Sequence, residues 1–425
     1  MKLPHLYIAL LLPLCGAAKV QAQQAPQWQT IQVAPQLTIT EEDGRSRVIE
    51  PACALETVMD PVEGTPMDNS FRFYFKQGTS DNLLIFFNGG GSCWEDAGCV
   101  ASLALSDVPG ARPAYNPSMA IENTPVGAGG VFDHDNPDNP FRNWSQVFIP
   151  YCTGDIHVGS NDVPYTDQDG SITGTPGAPV LVRHRGFDNF LAVREWLKGH
   201  FALDNDNVEK LLVTGSSAGG YGATLNFPYL EQIFPHSRAA LLADASAAVV
   251  THGFIQNVFS LGKAWNLEHS LAPLFLNRLG TYSALGLNVE IFDLLRRAYP
   301  EHRFAQYSTA RDAVQVQFLK IMHQLDRGNM DPFSWGLQPT DFLYFWEWNL
   351  RMELSLTYLS ATTHNYQYYI GAGTVHTVLT DTYATEELPH PFYQQDSAQG
   401  VAFTDWLDRF VNARRFQEMS LSYRR

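Results

Sequence analysis

The stretch Val213–Asn226, VTGSSAGGYGATLN, limits the folds open to this chain more than any other. The apolar run Lys210-Leu211-Leu212-Val213 before it reads as a buried strand. Gly215-Ser216-Ser217-Ala218-Gly219-Gly220 follows, and then a segment of helical character to about Phe234. A G-x-S-x-G turn between a strand and a helix is a nucleophile elbow, in which a tight bend lifts one serine clear of a sheet. Glycines flank the serine because a Cβ there would crowd the bend. The helix that follows points unpaired N–H groups and its positive dipole end at Ser217, where an acyl transfer would develop negative charge. A plain Gly/Ser turn is the alternative. The strand before it and the helix after it favour the elbow.

The rest of the chain supplies a sheet for such a turn. Phe71–Lys76 and Leu83–Phe87 read as two strands of a hairpin around Gly78–Asn82, and Gln146–Tyr151 reads as a third buried strand. Phe187–Phe201 carries a helical apolar stripe. Strands follow at Ala239–Ala243, Arg303–Thr309 and Tyr366–Ile370. Helices are expected within Ala272–Ala298, at Asp312–Leu325, at Phe342–Leu359 and at Thr404–Phe416. Gln23–Gln36 reads as a loose leader, and Ser106–Arg142 and Asn161–Pro179 as loops. Strands alternating with helices predict an α/β fold, with a mostly parallel central sheet, helices on both faces and loop or helical insertions. At 425 residues and 45% hydrophobic composition the chain could fill two or three domains, but no linker cuts it. Residues 23–425 are therefore expected to form one catalytic domain.

The first residues, with Lys2, the apolar run Leu6–Leu14 and Val20-Gln21-Ala22, predict a secretory signal peptide over 1–22. The run is too short, and too broken by Pro13, to span a membrane. The residues before Cys15 match a lipoprotein signal poorly. The destination is thus secreted or periplasmic. The formal net charge of −16 becomes −18 once Lys2 and Lys19 leave with the leader. Such a surface repels nucleic acid and anionic membranes. Four cysteines then remain, Cys53, Cys93, Cys99 and Cys152, an even count that suggests two disulfides in one of three connectivities. Cys93 and Cys99 are close enough to staple one loop, and Cys53 with Cys152 would then close a long one. Zinc is a poor alternative, because there is no C-x-x-C pair and the histidines do not cluster at ligand spacing. Asn143-Trp144-Ser145 is a glycosylation pattern, meaningful in a eukaryotic host.

A serine hydroxyl needs a base, and the base needs an acid to fix its tautomer. In α/β-hydrolase order the chain runs serine, acid, histidine. His376 lies downstream of Ser217, late, and on a loop after a strand. His364 precedes its strand, and His390 sits in a polar, proline-flanked loop. For the acid, Asp244 and Asp312 each follow a strand. Fold order favours Asp312, while Asp244 also suits a structural cap; Asp326 and Asp331 are weaker. Oxyanion donors are expected from the N–H of Ala218 and from Asn88-Gly89-Gly90-Gly91, where the backbone can reach a reacting carbon unobstructed. Ser92, Trp94, Asp155 and His157 are candidate cleft-lining residues. Asp155 and His157 are equally well read as holding the glycine loop. The aromatics of Phe342–Trp348 are expected mostly in the core.

FFNGGGSCWE, FIPYCTGDIHVG, VTGSSAGGYG, LLADAS, the Asp-Ala-Val-Gln after a strand and GAGTVHT together resemble the pectin acetylesterase family, which includes the animal carboxylesterase Notum. The similarity runs in islands from about Phe71 to about Thr380. The resemblance implies an α/β-hydrolase fold and ester hydrolysis by a serine triad without cofactor. Its nucleophile falls on Ser217, its acid on Asp312 (with Gln315 after it), its base on His376 and its oxyanion donors on Gly90, Gly91 and Ala218. Ser92 stands where family members often carry a bulky aromatic, which puts the acyl pocket in question. The expectation is an exported serine esterase that removes a short, acetyl-like group from an acylated carbohydrate such as pectin. Its rivals are a lipid or polyester acyl hydrolase, distinguished by pocket depth, and a binding protein on an inert hydrolase scaffold. A candidate for every required group argues against the last.

Overall fold

Strands that are apolar on both faces can be buried only inside a sheet covered on both sides, and these are. The computed structural model describes residues 27–41, 44–59, 64–109, 111–119, 123–201, 208–395, 399–416 and 419–423. The leader expected over 1–22 lies outside them. The central sheet has nine strands: β1 (Gln29–Gln32), β2 (Arg72–Lys76), β3 (Asn82–Phe87), β4 (Ser145–Ile149), β5 (Lys210–Ser216), β6 (Arg238–Asp244), β7 (Arg303–Thr309), β8 (Tyr366–Gly371) and β9 (Leu421–Ser422). Their order is β1-β2-β4-β3-β5-β6-β7-β8-β9. β1–β2 and β2–β4 are antiparallel, and every later pair is parallel.

Side chains alternate across each strand, so the sheet feeds two cores. Leu83, Ile85, Phe87, Leu211, Val213 and Leu241 face one. This side is covered by α1 (Gly186–Phe201), α2 (Ala218–Glu231), α3 (Leu287–Ala298), α4 (Ala313–Asp326) and α5 (Phe342–Thr362). Leu84, Phe86, Leu212, Leu242 and Tyr369 face the other, under Trp406 and Phe410 of α6 (Phe403–Asn412). Register sets Phe87 opposite Gly215, Ser216 opposite Asp244, Asp244 opposite Tyr307 and Thr309 opposite Gly371. The strands therefore end level, and the loops after β3, β5, β6, β7 and β8 open along one carboxyl edge, where α/β sheets bind ligands.

Three sequence expectations change. β2 and β3 are not a hairpin, because β4 lies between them and pairs with both. Gln29–Gln32, expected in a loose leader, is an edge strand on β2. Asn161–Pro179, expected as a loop, begins with a strand, Asn161–Asp167, that pairs with Ala178–His184. In each case the deciding factor is a distant partner that local pattern does not encode. Of the aromatics in Phe342–Trp348, Trp348 is buried and Tyr344 and Phe345 pack against the core, as expected for most of them, whereas Phe342 and Trp346 are exposed, on a side that local pattern does not assign. Both disulfides form, Cys53–Cys152 and Cys93–Cys99. No helix among the described residues is long and apolar enough to cross a membrane.

Candidate active site

Ser217 sits between β5 and α2 with φ 58° and ψ −125°, a strained conformation for a residue with a Cβ. The surroundings hold it there. Its N–H donates to the Asp244 carbonyl (2.8 Å), and its own carbonyl accepts from Ser246 Oγ (2.7 Å). The glycines are required by close approach: a Cβ on Gly219 would collide with the Phe87 carbonyl, and one on Gly215 with the Gly219 carbonyl. The helix start thus lies directly on the end of β3.

Asp312 is the N-cap of α4 and fully buried. Oδ1 accepts from the N–H groups of Val314 (3.0 Å) and Gln315 (2.9 Å), and Oδ2 from Gln315 Nε2 (2.8 Å). The same carboxylate receives His376 Nδ1–H at 2.9 and 2.8 Å. That bond fixes the tautomer and leaves Nε2 as the acceptor. Nε2 is buried and has no hydrogen-bond partner among the described residues. Tyr383 packs edge-on against the ring at 5.0 Å. His376 and Ser217 line one cavity, together with Ala218, Gly91, Ser92 and Trp94. The cavity admits the centres of water-sized molecules over about 90 Å3. Most of its wall is apolar, with Val249, Phe254, Phe259, Ile291, Phe292 and Trp348 among the lining residues.

The glycine loop leaves β3 beside Ser217, where a Cβ on Gly89 would lie 2.9 Å from that of Ser217. Gly91 has φ +75° and bridges to Tyr115. The bridge uses the Gly90 carbonyl and the Ser92 N–H, and engages neither the Gly90 nor the Gly91 N–H. Gly90 itself is not a lining residue.

Asp155 and His157 do not line the cavity; of their two readings, the structure gives the supporting one. His157 Nε2–H donates to the Asn88 carbonyl at 2.9 Å, just before the glycines. The ring lies on Tyr151 (4.6 Å) and against Phe87 (5.1 Å). Burial pushes its pKa down to about 4, so it is neutral near pH 7. Asp155 accepts from Thr153 Oγ1 (2.6 Å), Gly186 N (2.7 Å) and His157 N (3.1 Å), and burial raises its pKa to about 6. Ile156 and His157 both have positive φ, and Ile156 faces the cavity.

Asp244, the other candidate acid, does not touch His376 by hydrogen bond. Its carboxylate accepts from Ser216 Oγ (2.7 Å) and from the N–H groups of Val378 and Leu379 (3.1 Å each), so it anchors the loop that carries His376. Burial raises its pKa to about 7. His364 is exposed, and His390 pairs with Asp381 at 3.1 Å. Sequence reasoning missed Ile156, Tyr221 and the apolar wall. Gln315 had a readable signal: Asp-x-x-Gln at a helix start is a capping pattern. Cys93, Cys99 and His184 meet at metal-ligand reach, but the sulfurs are bonded to each other. His184 is engaged by the Thr153 carbonyl and the Tyr165 hydroxyl at 2.9 Å each.

A level-edged parallel sheet with a strained serine at the strand-to-helix bend defines the α/β-hydrolase class. The solved Wnt deacylase Notum from Drosophila shares this fold, with TM-score 0.52 and 16% identity over 93% of this chain and 97% of that one. Residues 62–255 match the pectinacetylesterase family model. The chain is 28% identical over 172 residues to palmitoleoyl-protein carboxylesterase notum1a of Danio rerio, covering 40% of this chain and 29% of that protein. It is 24% identical over 198 residues to palmitoleoyl-protein carboxylesterase NOTUM of Mus musculus, covering 45% and 34%. These alignments thus span about a third or less of the curated relatives. The chain is thus similar to the pectin acetylesterase family over residues 62–255 and to Notum carboxylesterases over about two fifths of its length. The family-model match includes Ser217 and the glycine loop, but not Asp312 or His376.

Proposed function

We propose that this chain is an exported carboxylic ester hydrolase whose preferred substrates carry a fatty acyl group. The observation that carries the reading is the shared cavity: Ser217 and an Asp312-oriented His376 open onto one mostly apolar chamber. Ser217 Oγ attacks the ester carbonyl while His376 Nε2 takes its proton. The Gly90, Gly91 and Ala218 N–H groups receive the oxyanion. The tetrahedral intermediate collapses, the C–O bond breaks, and His376 returns the proton to the departing alcohol. Water, deprotonated by His376, then releases the acid and frees Ser217.

The chamber is lined mostly by apolar side chains, from Trp94 and Val249 to Phe292 and Trp348, and this moves the reading from the acetyl expectation to its lipid-acyl rival. The activity for which the relatives are named, palmitoleoyl-protein carboxylesterase, supports the same direction. Acetyl removal from a carbohydrate remains the second reading, favoured by the pectinacetylesterase match. Turnover of p-nitrophenyl acetate, butyrate and palmitate separates the two. Each methylene buried in the chamber contributes about 0.8 kcal/mol, so kcat/KM should rise about fourfold per methylene until the chamber fills. A preference for acetate would select the second reading. Ser217→Ala should lower kcat about a millionfold, and an unchanged rate would refute the site.

A further inference from the structure

The outward face of α5 is apolar in a way that solvent does not favour. Between residues 342 and 358 its exposed positions are Phe342 (66%), Leu343 (64%), Trp346 (64%), Leu350 (39%), Leu354 (61%), Thr357 and Tyr358 (56%). None is charged. The nearby charges are turned aside: Glu347 pairs with Arg351 at 2.9 Å, Arg351 donates to the Val250 and Ala284 carbonyls, and Asn349 binds Glu353. The opposite face of the helix is already committed to the core through Trp348, Met352, Leu356 and Leu359. A helix apolar on its core face and again on its outward face is one covered on both.

We propose that a second copy of this chain covers the stripe, in a twofold dimer with α5 packed against α5. Area supports this. The three aromatics together expose roughly 370 Å2, taking about 200 Å2 for each ring side chain. With the three leucines the patch exceeds the few hundred Å2 that a monomer usually leaves bare. Two such patches face to face pass the roughly 1,000 Å2 that marks a specific interface. The spacing supports it too. Trp346, Leu350, Leu354 and Tyr358 recur every four residues, which forms a continuous ridge about 18 Å long. The ridge is symmetric about position 352, the midpoint of the helix. A twofold axis there sets Trp346 against the other copy's Tyr358, and Leu350 against its Leu354. Such self-complementarity is what an isologous contact requires.

The test is sedimentation velocity of the mature protein over a concentration series, with esterase rate and melting temperature followed in parallel. Wild type should sediment as a dimer. Leu350→Glu should weaken association about a hundredfold or more, leaving melting and the rate per chain close to wild type. The double variant L350E/L354K should restore the dimer, because a twofold antiparallel contact sets each new glutamate opposite a new lysine. A monomeric wild type would overturn the proposal, including one that instead binds phosphatidylcholine vesicles through this face. So would a dimer that L350E leaves intact, or an L350E/L354K variant that stays monomeric.

Discussion

His157→Phe isolates the support behind the glycine loop. Phenylalanine keeps a ring to lie on Tyr151 and against Phe87, and removes only the Nε2–H bond to the Asn88 carbonyl (2.9 Å). Asn88 retains other tethers, among them its N–H to the Ile149 carbonyl (2.9 Å) and its Nδ2 to Asn123 Oδ1 (2.9 Å), so the loop should loosen rather than collapse. A carbonyl left unpaired in a packed site costs about 1–3 kcal/mol, which sets the expected loss of stability. The loss in rate is expected through geometry. An oxyanion donor contributes about 3–4 kcal/mol in the transition state, and partial misplacement of the Gly90–Gly91 N–H groups should forfeit part of it. We expect kcat to fall about 10- to 100-fold with KM within about twofold, measured on a p-nitrophenyl ester. His157→Gln places an amide N–H near the same point and should recover most of the rate. The stability readout has a definite sign. The folded pKa of about 4 lies below the usual 6.5, so this group contributes stability above pH 6.5 that is lost as pH falls toward 4. The phenylalanine variant lacks that dependence, so its deficit against wild type should shrink as the buffer is acidified. A variant with wild-type kcat would refute the positioning role, whatever its melting temperature.

The two disulfides should differ in worth. Loop-closure entropy assigns about 5 kcal/mol to Cys53–Cys152, which closes 99 residues, and about 2 kcal/mol to Cys93–Cys99, which closes 6. Paired serine variants compared by denaturant titration should follow that order, and equal losses would contradict it. Ser92→Trp should fill part of the chamber beside Gly91, lowering kcat/KM about tenfold or more for octanoyl esters while sparing acetate. Equal effects on both esters would place the acyl chain elsewhere.

The strand–turn–helix at Ser217 was legible because its cause is local: glycines at fixed offsets, an apolar run before and a helix after. Chain order then marked Asp312 and His376, and the structure brings those two into hydrogen-bonding contact. What lay beyond the sequence depends on distant partners. β4 enters between β2 and β3 from some sixty residues away. Asp244 and Asp312 both follow strands, yet only the fold decides that one holds the loop of His376 and the other meets its ring. Local sequence fits His157 equally to cleft and to support, and its bond to the Asn88 carbonyl exists only in the fold. The chamber is assembled from residues scattered between 91 and 376, no two neighbouring segments of which announce a common wall. On α5, apolar residues fall on opposite sides of the helix, and only packing shows which side meets the core and which meets solvent. Short-range sterics and hydrogen bonding write the turn into the sequence, whereas burial is a property of the whole folded chain.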